Sequence, residues 1–175
     1  MLKYLHKKNI ASWDALTLYI KAIPYGRNAN REDFSLVLTE NKGTCSSKHA
    51  LLKTLAKDFN KDNVQLIIGI FKMNAENMPI LANYLNENQL EYIPEAHCYL
   101  KIDGVPFDYT VEDSLYPKIK NDILEEIEIE PYQVSDYKVH YHKEFLKNWM
   151  QETHQSKSFD EIWKIRETCI QKLSE

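Results

Sequence analysis

The chain contains an Asp-Gly pair between two short apolar runs, in "EAHCYLKIDGVPFDYT", residues 95–110. This arrangement is the strongest short-range signal of a β-hairpin, because both residues tolerate the positive φ angles of a two-residue turn. With Asp103 and Gly104 at the centre, the expected pairs are Ile102 with Val105, Leu100 with Phe107, Tyr99 with Asp108, and His97 with Thr110. A four-residue loop keeps these pairs, whereas a three-residue loop shifts them by one.

His97 and Asp108 are predicted to share one face of this hairpin. Side chains alternate between faces along a strand, and directly opposed residues share a face. The two residues are then diagonal neighbours with backbones about 7–8 Å apart, within reach of each other. Cys98 must point to the other face, toward the helix that begins at Cys45. A metal site shared by His97 and Cys98 is therefore disfavoured.

A second segment, "GTCSSKHALLKTLAKDF" (residues 43–59), has the apolar spacing of an amphipathic helix. The helix is predicted to begin at Cys45, where Ser46 and Ser47 can serve its unpaired N–H groups. Its buried face is predicted to hold Leu51, Leu52, Leu55, Ala56 and Phe59. Its solvent-facing positions are predicted to be Lys48, His49, Lys53 and Lys57.

The other patterns place this hairpin and helix in an α+β fold. Helices are expected at 13–23 after a Ser12 cap, at 79–90, at 142–153 and after the Ser158–Glu161 capping box. Strands are expected at 64–72, 126–134 and 137–142. Helices followed by strands and again by helices favour α+β over alternating α/β. We expect a single domain over residues 1–175, with a helical C-terminal extension from about 142 to 175.

Composition excludes several classes of function. The 175 residues are 43% hydrophobic and 27% charged with a net charge of −4, which is typical of a globular domain. The sequence has no stripe of basic residues of the kind that nucleic-acid-binding proteins carry. It also has no apolar run that approaches the roughly 18 residues of a membrane-spanning helix. Three cysteines, Cys45, Cys98 and Cys169, lack CxxC spacing, so neither a disulfide framework nor a zinc ribbon is expected. Without a signal-peptide pattern, the expected location is the reducing cytoplasm.

Cys45, His97 and Asp108 have the residue types that cysteine nucleophilic catalysis requires. A thiol of pKa about 8.5 is mostly protonated at neutral pH, and a helix start and a nearby imidazolium both favour its thiolate. A carboxylate then fixes the tautomer and orientation of the imidazole. The backbone N–H of Cys45 is a natural donor to a developing oxyanion. This chemistry needs neither a cofactor nor a metal ion.

These residues resemble the transglutaminase-like family of cysteine enzymes, in which Gly-x-Cys opens a helix, His lies on a strand, and Asp-x-Thr follows a turn. The pattern covers about residues 40–110. The chain as a whole resembles a bacterial protein that consists of this domain alone. The resemblance implies a papain-like fold, with the nucleophile-bearing helix packed on an antiparallel sheet. It also implies acyl transfer from an amide of a peptide, a protein or a small molecule. Cys45 would attack the carbonyl, His97 would move the proton and Asp108 would hold His97.

The sequence departs from the family at two positions and along its C-terminal part. Tyr99 stands where the family often has Trp, two places after the histidine. Papain-type relatives have a Gln upstream of the cysteine for the oxyanion hole; here Asn41, Asn28 or Tyr25 could replace it. The segment 111–175 matches nothing in the family.

Three functions remain open at this point. The first is a cysteine hydrolase or acyltransferase, whose acyl acceptor (water or an amine) the pattern does not specify. The second is a non-catalytic module that binds a protein or peptide in the same cleft, and a collapsed cleft over Cys45 would favour it. The third is an acetyltransferase acting on an acyl thioester, which would need a pocket for a nucleotide carrier. These patterns do not encode the oligomeric state.

Other conspicuous side chains have simpler interpretations. His140 and His142 would share a face of a strand and could hold a metal ion, but surface and capping histidines are far commoner. Trp13, Trp149 and Trp163 lie at helical spacing and are predicted to be core residues.

Overall fold

Within residues 1–173, which the computed structural model describes, the chain forms eight α-helices and four β-strands. The helices are α1 (Leu2–Lys7), α2 (Trp13–Ala22), α3 (Leu36–Thr39), α4 (Cys45–Leu55), α5 (Ala82–Glu87), α6 (Tyr116–Ile119), α7 (Asp136–Glu152) and α8 (Phe159–Lys172). Short 3₁₀ turns occur at Lys57–Phe59, Pro79–Leu81 and Pro131–Val134. The expected α+β class is confirmed, and the short helix α1 was not expected from the sequence.

The strands form one antiparallel sheet in the order β3-β2-β1-β4. Their bounds are β1 (Val64–Asn74), β2 (Tyr92–Ile102), β3 (Val105–Phe107) and β4 (Ile123–Ile129). The central strand β1 is almost continuously buried, as expected for its run of β-branched residues. The predicted strand at 64–72 is therefore confirmed.

The hairpin between β2 and β3 has the predicted register. Leu100 pairs with Phe107 and Ile102 with Val105, and the turn residues Asp103 and Gly104 have φ angles of 50° and 79°. Both angles are positive, which is the conformation that an Asp-Gly turn supplies at little cost. β3 ends at Phe107, so the expected pairs at residues 97 and 99 do not form, and Asp108 lies in the loop that follows.

The sheet has an apolar core on each face. On one face, even-numbered residues of β1 and β2 pack with α2 and α4; they include Leu66, Ile68, Ile70, Ala96, Cys98 and Leu100. On the other face, Phe71, Met73 and Ile93 pack with residues of α5, α7 and α8. The C-terminal helices are thus part of the folded core, and they cover the sheet face opposite α4.

The prediction of a strand at 137–142 is wrong, because these residues belong to the long helix α7. The buried positions of this helix are His142, Leu146 and Trp149, which follow helical spacing. Because His142 is polar, the apolar residues of this buried face are interrupted, and the sequence does not show the helical spacing. The Ser12 cap of α2 and the Ser158–Glu161 capping box of α8 are both confirmed.

Candidate active site

Cys45 occupies the first position of α4, as predicted. Thr44 caps the helix through a hydrogen bond from the Ser47 backbone N–H to its Oγ1 (3.3 Å), and the Ser47 hydroxyl accepts the Thr44 N–H (3.0 Å). This reciprocal capping satisfies two donors and fixes where the helix begins. The Cys45 side chain is buried at the positive end of the helix dipole, an environment that favours a thiolate.

The structure brings His97 and Asp108 together. Their Nε2 and Oδ2 atoms are 3.0 Å apart, and both residues are buried. Asp108 also accepts hydrogen bonds from the backbone N–H groups of Thr110 (2.9 Å), Leu115 (3.0 Å) and Tyr116 (3.1 Å), and from the Thr110 hydroxyl (2.6 Å). Burial disfavours the carboxylate, but the charge of His97 and these donors outweigh it and hold the pKa of Asp108 well below its usual range.

The charged forms of Cys45 and His97 favour each other. Burial opposes the charge on His97, but the carboxylate of Asp108 and the Cys45 sulfur raise the pKa of His97 to about 10. A hydrogen bond from Cys98 lowers the pKa of the Cys45 thiol; burial acts in the opposite direction, and the charges of Lys138 and His97 lower it further. Because Asp108 engages Nε2, the Nδ1 atom of His97 is the ring nitrogen left for the sulfur.

The Tyr99 ring lies against the imidazole of His97. Its ring stacks on His97 with centroids 6.3 Å apart, and its hydroxyl donates to Glu126. The ring has room because residue 69 on the neighbouring strand is glycine: a Cβ there would lie 2.9 Å from a Tyr99 ring carbon. Gly69 thus leaves space for the tyrosine ring that stacks on His97.

Lys138 is a member of the site that the sequence did not indicate. It extends from α7, with its Nζ atom 3.7 Å from the Cys45 sulfur and 2.9 Å from the Ser46 hydroxyl. Burial disfavours its charge, but the Cys45 sulfur, Cys98 and the Glu95 carboxylate together outweigh this effect and raise the pKa of Lys138. Lys138 lies in a segment that was predicted to be a strand, and no local sequence pattern marks it as a residue of the site. Only the packing of α7 brings its ammonium group to the nucleophile.

The prediction that His49 is exposed is wrong. Its side chain is fully buried, and its Nδ1 lies 2.8 Å from the Cys45 carbonyl oxygen while its Nε2 accepts the Tyr109 backbone N–H at 2.8 Å. Burial lowers the pKa of His49, so the ring stays neutral and donates from Nδ1. His49 therefore connects the first turn of α4 to the loop that carries Asp108.

Lys48 is likewise buried instead of facing solvent. Its ammonium group donates to the carbonyl oxygens of Thr110 (2.6 Å) and Ile23. Burial lowers the pKa of Lys48 to about 8. Both errors have one cause: α4 packs against the sheet on one side and against α2 and the loop after β3 on others. A helix covered on several sides has no broad solvent face.

A cavity of about 540 Å³ opens beside Cys45, next to the part of β2 that β3 does not cover. Its walls come from the start of α4, from β2 and from the C-terminal helices α7 and α8. The residues that line the cavity include Tyr25, Arg27, Arg31, Cys45, Glu95, Lys138, His142, Lys143, Trp163, Arg166 and Glu167. Trp163, predicted to be a core residue, is only partly buried and lines this cavity, whereas Trp13 and Trp149 are buried as predicted.

The three proposed replacements for an oxyanion-hole Gln differ in their surroundings. Asn28 uses its amide group to bind the Glu40 carboxylate (3.0 Å) and the Lys42 carbonyl (2.8 Å), so both of its N–H donors are occupied. Asn41 is exposed and does not line the cavity. Tyr25 lines the cavity, and burial together with the nearby Cys45 charge raises its pKa to about 12, which keeps its hydroxyl protonated as a donor. Of the three, Tyr25 is therefore the candidate donor to an oxyanion.

No metal centre accompanies these residues in the described part of the chain. Residues 1–173 contain no group of three or more His, Cys, Asp or Glu side chains that could hold a metal ion. His140 and His142 lie on a helix, where His140 is exposed and His142 is buried with Nε2 2.9 Å from the Pro94 carbonyl oxygen. In the same range, no helix is long and apolar enough to cross a bilayer.

Comparison of the chain with protein-family models, with curated proteins and with solved structures found no match.

Proposed function

We propose that the chain is a cysteine-dependent acyl-transfer enzyme with a transglutaminase-like, papain-type core formed by α4 and the antiparallel sheet. Cys45 is the nucleophile, His97 carries the proton and Asp108 orients His97. The observation that supports this proposal is the buried His97–Asp108 hydrogen bond, whose carboxylate accepts four further hydrogen bonds, together with a helix-start sulfur whose pKa the charge of His97 lowers. An amide of a peptide, a protein or a small molecule is the acyl donor.

The proposed reaction has two halves. The Cys45 thiolate attacks the carbonyl carbon, and the oxyanion that forms accepts hydrogen bonds from the Cys45 backbone N–H and the Tyr25 hydroxyl. The imidazolium of His97 gives its proton to the leaving amine, the C–N bond breaks, and a neutral thioester remains. His97, now neutral, takes a proton from water or an amine as that acceptor attacks the thioester. The C–S bond then breaks, and the thiolate–imidazolium pair is restored.

The cavity supports an enzyme over a non-catalytic module. A module that had lost catalysis is expected to have a collapsed cleft over Cys45, whereas Cys45 lies in the wall of a cavity of about 540 Å³. This volume lies within the range of small-molecule sites, roughly 300–1,000 Å³. Ionisation of Cys45 also has a use in catalysis, because the thiolate is the reactive form.

The test compares alkylation by iodoacetamide at pH 6 with formation of an acyl-enzyme from p-nitrophenyl acetate. At this pH an ordinary thiol is well under about 1% thiolate, so Cys45 should react at least about tenfold faster than 2-mercaptoethanol. Intact-mass analysis should show one acetyl group that is absent in Cys45→Ala and present in Cys169→Ala, the matched control at another buried cysteine. If Cys45 reacts at the rate of the reference thiol and takes no acetyl group, the binding module is the better proposal.

A further inference from the structure

The cavity beside Cys45 is strongly cationic. Five cationic side chains line it, Arg27, Arg31, Lys138, Lys143 and Arg166, against the carboxylates of Glu95 and Glu167, an excess of three positive charges that falls to two when Cys45 is a thiolate. His142 adds no charge at neutral pH, because burial lowers its pKa. The whole chain has a net charge of −4, so this local excess has the opposite sign. Clefts lined by one sign of charge concentrate ligands of the other.

Both carboxylates of the cavity already have cationic partners. Arg166 holds Glu95 through two parallel hydrogen bonds, Nε to Oε2 at 2.6 Å and Nη2 to Oε1 at 2.5 Å. Arg166 also contacts Glu167 at 2.5 Å, and Arg27 lies 3.5 Å from the same carboxylate. The charges of Glu95 and Glu167 are therefore balanced by Arg166 and Arg27.

The other three cations have no carboxylate in contact. Among residues 1–173, no carboxylate pairs with Arg31, Lys138 or Lys143. The Lys143 ammonium lies over the Trp163 ring, 4.9 Å from its centroid, which stabilises the cation without neutralising it. Lys138 faces the thiolate of Cys45. When that sulfur is acylated, its charge disappears, and the Glu95 carboxylate, which also acts on Lys138, is already held by Arg166.

We propose that the acyl donor carries an anionic group, such as a carboxylate, which binds in this cavity with Arg31 and Lys143 as the cations available to it. This inference rests on the proposed function and adds a substrate class to it. The anion restores the charge balance that the cavity loses when the thioester forms. A neutral donor of the same shape gains no such compensation, and a cationic donor is repelled.

The test uses two alkylating reagents that differ in charge and act on the same atom. In both reactions the Cys45 sulfur displaces iodide from a CH₂ group, but iodoacetate carries a carboxylate and iodoacetamide does not. The measured quantity is the ratio of the iodoacetate rate to the iodoacetamide rate at pH 6, divided by the same ratio for 2-mercaptoethanol. Dividing the two rates cancels changes in thiolate fraction. We expect a normalised ratio of about 10 or more, because two cations that each contribute about threefold, less than a unit charge pair at about 4 Å contributes in bulk water, multiply to about tenfold.

Charge removal identifies the cations responsible. Arg31→Gln and Lys143→Gln should each lower the normalised ratio about threefold, and the double variant about tenfold. Lys147→Gln is the control, because Lys147 lies on the same helix as Lys143, is half exposed, pairs with Glu144 and does not line the cavity. In the wild-type protein, about 1 M salt should bring the ratio toward that of the reference thiol, because the Debye length falls to about 3 Å.

The outcomes separate the two proposals. A normalised ratio near one in the wild-type protein, or a ratio in the double variant equal to that of Lys147→Gln, overturns the anionic substrate class. Fast alkylation by iodoacetamide in the same experiment would still support the proposed cysteine enzyme. Slow alkylation by both reagents would instead overturn the proposed function. The salt titration needs no variant, so a folding defect in a variant does not prevent a decision.

Discussion

Replacement of Lys138 by Met should weaken the activation of Cys45, because the lysine ammonium is the charge from α7 that contacts its sulfur. The two atoms are 3.7 Å apart. A unit charge pair at about 4 Å interacts by about 1 kcal/mol in bulk water and about 4 kcal/mol at an effective dielectric constant of 20. Since one pKa unit corresponds to about 1.4 kcal/mol, removal of the charge should raise the pKa of Cys45 by about one to three units. Methionine has a similar length and keeps the packing of α7.

The assay is the pH dependence of iodoacetamide alkylation, which reports the fraction of thiolate at each pH. The direction follows from the charges: Lys138 stabilises the thiolate, so its loss moves the midpoint of the profile to higher pH. Lys138→Arg keeps the positive charge and should return the midpoint toward the wild-type value. Lys147→Met makes the same substitution at a half-exposed position of the same helix and should leave the midpoint unchanged. A Lys138→Met midpoint equal to that of Lys147→Met would refute the electrostatic role.

Two further predictions concern the buried ion pairs beside the nucleophile. Asp108→Asn should lower the pKa of His97 from about 10, which NMR of the imidazole would detect, and should slow acyl transfer by about 10²- to 10⁴-fold. Asp113→Asn, at an exposed carboxylate, is the matched control. An unchanged titration of the His97 imidazole in Asp108→Asn would contradict the role of Asp108. Arg166→Met should lower the free energy of unfolding by about 3–5 kcal/mol in a urea titration, because Glu95 is left buried and unpaired, and adding Glu95→Gln should recover most of that loss. A double variant no more stable than Arg166→Met would refute the charge explanation.

The C-terminal helices have a defined place in this site. α7 supplies Lys138 to the sulfur, and α8 supplies Arg166 to the buried carboxylate of Glu95. Both helices also line the cavity beside Cys45. In the proposed enzyme, a substrate bound in this cavity would contact side chains of α7 and α8 as well as Cys45.

The errors in the sequence-based description have a common origin. Lys48 and His49 were placed toward solvent by a pattern that assumes one buried helix face, whereas α4 is covered on several sides. The helical period of α7 was obscured because its buried stripe includes His142. In each case a polar side chain is buried with hydrogen-bond partners far away in the chain, and a local pattern contains no information on such partners.

The sequence by itself determined the features that arise from neighbouring residues. The turn at Asp103 and Gly104 set the register of the hairpin, and the capping interactions of Thr44 and Ser47 set the start of the helix at Cys45. The tertiary structure alone decided that Lys138, 93 residues away, contacts the sulfur and that three cations share a cavity without carboxylate partners among residues 1–173. Turns and caps depend on backbone angles and hydrogen bonds within a few residues, whereas these long-range contacts depend on how α7 and α8 pack on the sheet.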